Sequence, residues 1–273
     1  MAARAEIATA ASGWRHFFYV TLALSKVEFK LRYFGSVLGY LWSFLRPFLL
    51  FGVLYVVFTK IVRAGTHVHH YPVMLLLGLV LFNFFSEATT TALPSLVQRE
   101  NLLRKVAFPR AAVPIAVATT AAANLLLGLA VVLLLALVNG VDPMLSWLLL
   151  LPIFAGVLAF AAGLALLLSI LFVRYRDAQP VWELVLQFVF WGTPIIYTIQ
   201  FIPERYRQFV MYNPLAVAIE QARHWLIDPN IPSAATVLGS DAKLAIPLGI
   251  FVAVSLLGVW AFRRGASRVA EEL

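Results

Sequence analysis

The sequence predicts an all-α membrane protein with six transmembrane helices, and three observations carry that prediction. Apolar residues make up 62% of the 273-residue chain and charged residues 12%, with a mean hydropathy of +0.88. A soluble domain carries about 25% charged residues and has nowhere to hide so much apolar surface. Six apolar stretches, 37–59, 72–93, 111–138, 145–172, 182–199 and 244–262, reach or approach the ~20 residues that cross a hydrocarbon layer of about 30 Å. The basic residues are distributed unevenly between alternate connections, as they are when one side faces the cytoplasm. No internal repeat or low-complexity linker divides the chain, so residues 1–273 read as one domain.

The first 13 residues are Ala-rich and lack the basic start, apolar run and cleavage site of a signal peptide. Residues 12–33 are too charged to span but place Phe18, Leu22, Phe29 and Tyr33 at helical spacing. Ser12 offers an N-cap, and Glu28 precedes Arg32 by four positions, the favourable order for an ion pair. The segment reads as an amphipathic helix along the inner membrane surface, its lysines and arginine towards water or lipid phosphate.

Span 37–59 carries Tyr40, Phe44, Phe48, Phe51, Tyr55 and Phe58. At 100° per residue these rings fall within an arc of about 80°. Such a stripe is either a packing ridge or the lining of a path. Arg46 lies about 13 Å into the span at 1.5 Å per residue; it either snorkels to the inner surface or holds an anionic group, and snorkelling is favoured. An outer connection then carries His67, His69 and His70 with no carboxylate nearby in sequence, so no metal site is predicted. Span 72–93 is polar in its second half: Asn83, Ser86, Glu87, Thr89, Thr90 and Thr91. An intramembrane acid faces the bundle interior or a water-filled path; the alternative is a hydrogen-bonded glutamate that braces helices.

Residues 97–110, VQRENLLRKVAFPR, crowd basic groups between Pro94 and Pro109. A connector that follows the positive-inside rule would explain the charge. It would not explain Val97, Leu102, Leu103, Val106 and Phe108, which suit a short helix that docks into another protein's groove. Span 182–199 is interrupted by Gly192 and Pro194, tolerable in a membrane where neighbours satisfy the freed backbone. With the N-terminus inside, 14 of the 21 basic residues fall on inner segments and six on outer ones, so both termini are expected in the cytoplasm. The net charge of +8 is thereby assigned to orientation, not to nucleic acid. The absence of cysteine excludes disulfides and thiolate metal sites. No Ser-His-Asp set or paired-carboxylate site stands in a credible context, so no chemistry is predicted in this chain.

The stretch KLRYFGSVLGYLWSFLRP, through Lys30, Arg32, Tyr33, Ser36, Leu38, Gly39, Trp42 and Pro47, resembles the start of ABC-2 type permease subunits that export polysaccharides. These serve O-antigen, teichoic acid and cell-wall galactan. Further likeness lies in Asn101, Leu102, Lys105, Phe108, Pro109, Arg110 and Pro114, in Arg176 and Asp177, in Pro194 and Tyr197, and in Asn213 with Pro214. It covers nearly the whole chain in order and spacing.

The resemblance implies a homodimer in the bacterial inner (plasma) membrane, with two copies of a nucleotide-binding ATPase subunit. Residues 95–108 would be the cytoplasmic coupling helix, with Arg99, Glu100, Asn101, Arg104 and Lys105 transmitting ATPase motion. Residues 201–243 would be an outer re-entrant helical segment before the last span, with Asn213 and Pro214 starting a helix. The cargo would be a polysaccharide on a polyprenyl diphosphate, its headgroup admitted by Lys30, Arg32 and Arg46, its sugars sliding along the aromatic stripe. ATP and Mg would sit on the partner: none of Lys26, Lys30, Lys60, Lys105 and Lys243 follows a glycine, so the chain has no Walker A pair. A composition rich in Ala, Val and Arg tilts the reading towards the galactan exporters of actinobacteria. The rivals are an ABC-2 exporter of a drug or small lipid, and an ion-coupled carrier with Glu87 as proton site. The carrier predicts an inverted repeat, which the sequence does not display.

Overall fold

Helix is the only regular secondary structure among the residues that the computed structural model describes, 2–33, 37–63, 68–105 and 108–266. Side chains are described for the same residues except 2–12, 31–33, 37–44 and 46. α1 (Ala2–Tyr33) contains the predicted interface helix and begins ten residues before it, so Ser12 lies inside the helix and not at its start. The reason is local: alanine, the strongest helix former, dominates residues 2–11.

α2 (Val37–Val56) continues through a π-helical turn, Val57–Ile61, and so covers the first predicted span. α3 (Tyr71–Ala92) follows, with Pro72 in its first turn. The expected single coupling helix is instead two short ones, α4 (Ser95–Gln98) and α5 (Glu100–Lys105). Arg99 breaks them apart with φ −112° and ψ 23°, outside the helical region. α6 (Ala112–Val138) comes next, and a 3₁₀ turn, Leu145–Leu149, leads into α7 (Leu150–Arg174).

The fifth predicted span is displaced and shortened. α8 (Ala178–Gly192) has 15 residues, starting four before the expected position and stopping seven before the expected end. That is roughly 22 Å of helix against a hydrocarbon layer of about 30 Å. Pro194 forces the residue before it out of helical geometry, and Thr193 is extended at φ −100° and ψ 139°. Residues 201–243, expected on the outer side, hold α9 (Glu204–Val210), α10 (Pro214–Leu226) and α11 (Ala234–Leu238); a 3₁₀ turn, Asp241–Leu244, then leads into α12 (Ala245–Gly265). Asn213 caps α10 as expected, its Oδ1 accepting from the Leu215 N–H at 3.0 Å.

Four helices among the described residues are long and apolar enough to cross a membrane: Tyr71–Ala92, Ala112–Val138, Leu145–Arg174 and Asp241–Gly265. α3 is the centre. Its first half, Tyr71–Phe82, is apolar on every side, and α2, α6, α7, α8 and α10 all pack against the helix, so that half is buried as an all-round apolar helix should be. Its rings join neighbouring helices: Phe85 stacks on Phe160 of α7 at 5.6 Å, and Phe82 meets Phe190 of α8 edge-on at 5.0 Å. α12 lies on α7 at near backbone contact. A Cβ built on Gly163 would stand 2.8 Å from the Ser255 Cα, and one on Gly258 would strike the carbonyl of Gly163. Small residues let membrane helices approach in this way.

α1 packs on α6 through its small polar residues. Thr21 and Ser25 are buried; the Ser25 hydroxyl donates to the Ala116 carbonyl at 3.2 Å, and Thr120 donates to the Ser25 carbonyl at 3.3 Å. The rings of Trp14, Phe18 and Tyr19 point outwards and stay exposed. In water this would be costly. For a helix on a membrane it puts aromatic rings at headgroup level.

Candidate functional site

The short helices between α3 and α6 are built from two kinds of side chain. The apolar ones turn inwards: Leu96 is buried with Val113, Leu166, Val173 and Phe262, and Val97, Leu103 and Phe108 pack on that cluster. These residues therefore anchor the segment to its own bundle, whereas the sequence had suggested they would dock into a partner. Val106 lies outside the described residues. What remains exposed is polar: Gln98, Asn101, Arg104 and Lys105. Arg104 is ion-paired to Glu100 across one turn of α5 at 2.8 Å.

Arg99 holds the segment to α1. Its guanidinium is ion-paired with Glu28, the acid whose spacing also suits Arg32; the Arg32 side chain lies outside the described residues. Burial pulls the Arg99 guanidinium below its ordinary basicity, and Glu28 places an opposite charge beside the half-buried cation. At the far end Arg110 donates to the Ala266 carbonyl beyond α12. The segment is thus fastened to α1 and α12 at its ends and to the inner apolar cluster along its length.

A second polar group lies among α2, α3 and α6. Asn124 Nδ2 stands 2.9 and 3.1 Å from the two carboxylate oxygens of Glu87. They border a cavity of about 40 Å³ with Asn83, Pro47 and Phe48, large enough for a water. The buried Asn83 amide nitrogen has no partner among the described residues. Glu87 thereby joins α3 to α6 beside a small polar cavity, the bracing arrangement that sequence reading had left as the alternative.

A third group stands where α10 meets α3 and the broken end of α8, and the sequence reading missed it. Arg223 and Glu220 of α10 are both fully buried and paired at 3.2 Å. Arg223 also donates to the carbonyls of Ile195 at 2.8 Å, Met74 at 3.3 Å and Tyr197 at 3.4 Å. It therefore ties the broken end of α8 to α3. Gly78 makes room for it: a Cβ there would lie 3.2 Å from Arg223 Nη2. Burial pushes the Glu220 carboxyl up while Arg223 pulls it back. Asn213 Nδ2 adds a bond to the Thr193 hydroxyl at 3.0 Å, and Tyr71 donates to the Ile196 carbonyl at 2.8 Å.

This frame of helices has known relatives. The profile of the ABC-2 type transporter family matches residues 19–227. The chain belongs to the ABC-2 type transporter family. An O-antigen export system permease protein, RfbA, of Klebsiella pneumoniae is 31% identical over 205 residues, 75% of this chain and 78% of its own length. The RfbA of Myxococcus xanthus is 29% identical over 244 residues, 88% of each chain. The polysialic acid transport protein KpsM of Escherichia coli is 25% identical over 213 residues, 74% of this chain and 78% of its own.

In this ABC-2 chain the other expected residues are dispersed. Phe48, Phe51, Tyr55 and Phe58 are half-buried against the core, with Phe51 and Tyr55 stacked at 6.0 Å. The π turn shifts the register from Val57 onward, so Phe58 departs from a straight stripe. The side chains of Tyr40, Phe44 and Arg46 lie outside the described residues. Lys30 is exposed on α1 next to Lys26. His69 and His70 meet ring to ring at 4.1 Å. Burial and His69 hold His70 below the usual imidazole range, and His67 lies outside the described residues.

The missed residues had signals. Asn124 is the one polar side chain between Ala121 and Val138. Arg223 stands four after Ile219 and three before Leu226, on the same apolar side.

Proposed function

We propose that this chain is the membrane subunit of an ATP-driven exporter that carries a lipid-linked polysaccharide from the cytoplasmic to the outer face of the membrane. It would work as a homodimer with two copies of a separate ATPase subunit. Family membership and relatives named for O-antigen export and polysialic acid transport support the class of cargo. The observation that carries the mechanism is the segment Ser95–Lys105: apolar side chains held by the bundle, Asn101, Arg104 and Lys105 presented outwards, Arg99 fastened to α1.

In this reading the ATPase pushes on α5, and the Arg99–Glu28 pair passes the displacement to α1. The break at Arg99 lets α5 tilt without α4 leaving the inner apolar cluster. α1 lies on the cytoplasmic membrane surface and admits the lipid-linked end; Arg32 and Arg46 are the cations assigned to its diphosphate, and Lys30, expected with them, stands instead beside a groove between α1 and α6. The half-buried rings of α2 become lining where two copies face each other. The positive-inside bias supports cytoplasmic termini.

The test is gentle purification of the tagged chain from its own membranes. A nucleotide-binding subunit in equal amount, with vanadate-sensitive ATP hydrolysis, is the expected result, and the glycolipid in the same preparation names the cargo. A chain that emerges alone and inert to ATP removes the proposal and moves attention to Glu87 as the proton site of a carrier.

A further inference from the structure

Lys26 and Lys30 stand one turn apart on α1, both exposed, and neither makes an ion pair among the described residues. Like charges at this spacing repel one another. Glu28, the acid between them in sequence, is turned away onto Arg99 and does not neutralise them. Beside the two lysines opens a groove of about 380 Å³ between α1 and α6, with Val27, Phe29, Thr119 and Ala123 among its walls. The hydrogen bonds of Ser25 with Ala116 and of Thr120 with Ser25 pin the two helices and so fix the shape of the groove.

The groove faces lipid and not the bundle interior. Thr119 and Ala123 share one side of α6 with Leu126, Leu134 and Leu137, within an arc of about 80° at 100° per residue. Those three leucines are exposed. Asn124 and Gly128, which border the Glu87 cavity, are on the opposite side of the helix. From Thr119 the exposed strip of α6 runs on to Leu137, 18 residues or roughly 27 Å, the depth of a membrane. At its other end the groove meets two ammonium groups that no acid among the described residues neutralises, on a helix whose Trp14, Phe18 and Tyr19 rings are exposed as at a headgroup layer.

We infer that this groove binds one acidic phospholipid, its phosphate between Lys26 and Lys30 and an acyl chain along Val27, Ala123 and the exposed leucines of α6. Lysine is a compact cation well suited to phosphate as a point charge. A headgroup of net negative charge relieves the repulsion between the two lysines; a zwitterionic one does not. The inference rests on α1 lying on the membrane surface, as the export proposal has it, and adds a lipid that is not cargo.

The full chain, purified in mild detergent, is titrated with phosphatidylglycerol or phosphatidylcholine of the same acyl length, and bound lipid is counted by native mass spectrometry. One phosphatidylglycerol per chain is expected. Affinity should fall about fivefold for Lys26→Gln and about 25-fold for Lys26→Gln with Lys30→Gln, at roughly fivefold per juxtamembrane lysine. The double arginine variant keeps the charges and should bind like the parent. Thr119→Phe fills the groove, leaves the charges in place, and should also lose the lipid. Equal retention of the two lipids, or unchanged phosphatidylglycerol binding in the double glutamine variant, overturns the site. So does displacement of phosphatidylglycerol by an equal concentration of polyprenyl phosphate, which would make the groove a cargo site. Binding is read without ATPase or export, so an overturned lipid site leaves the export proposal standing.

Discussion

Glu28 of α1 is ion-paired to Arg99, the residue at which α4 ends and α5 begins. One half-buried pair thus joins α1, proposed to lie on the membrane surface, to the break in the segment proposed to meet the ATPase. Arg99→Glu should leave the nucleotide-binding subunit bound and hydrolysing ATP while export falls. The exchanged pair, Glu28→Arg with Arg99→Glu, should recover export, with a coupling of about 0.5–3 kcal/mol in a double-mutant stability cycle. If the exchanged pair is no better than the worse single variant, the contact does not transmit motion.

Arg104 and Lys105 are exposed at the end of α5, and Arg104 is paired with Glu100 of the same helix. Charge reversal at both should lower affinity for the ATPase subunit by at least about tenfold, since like charges brought together across an interface cost several kcal/mol. Thermal unfolding of the isolated chain should not move. Unchanged co-purification and export would remove the docking role from α5.

Much of this was legible in the sequence because apolar length and terminal signals are local properties. The spans from Tyr71, Ala112, Leu150 and Ala245 follow from apolar runs long enough to cross a bilayer, and the start of α10 follows from Asn213 and Pro214. The apolar residues of 97–108 were recognised as too many for a solvated loop, but periodicity cannot say which surface covers them. Here Leu166, Val173 and Phe262, from distant parts of the chain, do so. Spacing offers Glu28 a partner in Arg32, but no spacing rule reaches Arg99, 71 positions away, with which Glu28 is ion-paired. Arg223 was counted as one more outer cation because a charge count ignores which face of a helix a residue occupies.

Arg223 and Glu220 make the strongest stability prediction. Arg223→Met leaves Glu220 buried without its partner and the carbonyls of Ile195, Tyr197 and Met74 without a donor. The expected loss is about 3–5 kcal/mol, seen as early thermal unfolding in detergent. Replacing both, Arg223→Met with Glu220→Leu, should recover a large part of it, because an apolar pair of similar volume needs no compensation. A single variant that unfolds like the parent would mean that the pair does not hold α10 to α3 and α8.

Gly258 has no room for a side chain, and what it would strike is the backbone of Gly163. A flexible side chain could move aside; a helix backbone cannot, short of α7 and α12 separating. Gly258→Leu should therefore cost at least the ~1–3 kcal/mol of an overpacked core and lower the yield of folded protein. Leucine at Gly249, whose Cβ would meet nothing within 4 Å, is the control and should be tolerated. Equal yields from the two variants would contradict the close crossing of α7 and α12.

The aromatic residues of α2 pose a choice between packing and lining, and two kinds of substitution separate them. Phe51 stacks on Tyr55 at 6.0 Å, and Phe48 borders the Glu87 cavity, so both have a packing role inside one chain. Leucine in place of each keeps most of the apolar volume and should cost less than about 1.5 kcal/mol at each position. It removes the flat face on which the apolar side of a sugar ring can rest. If the rings line the path, Phe48→Leu with Phe51→Leu should reduce export while thermal unfolding moves little and ATP hydrolysis continues. Alanine at the same positions would lose both stability and export, and so could not distinguish the roles. Normal export by the leucine pair would confine these rings to packing and leave the polymer's route to be sought on another face.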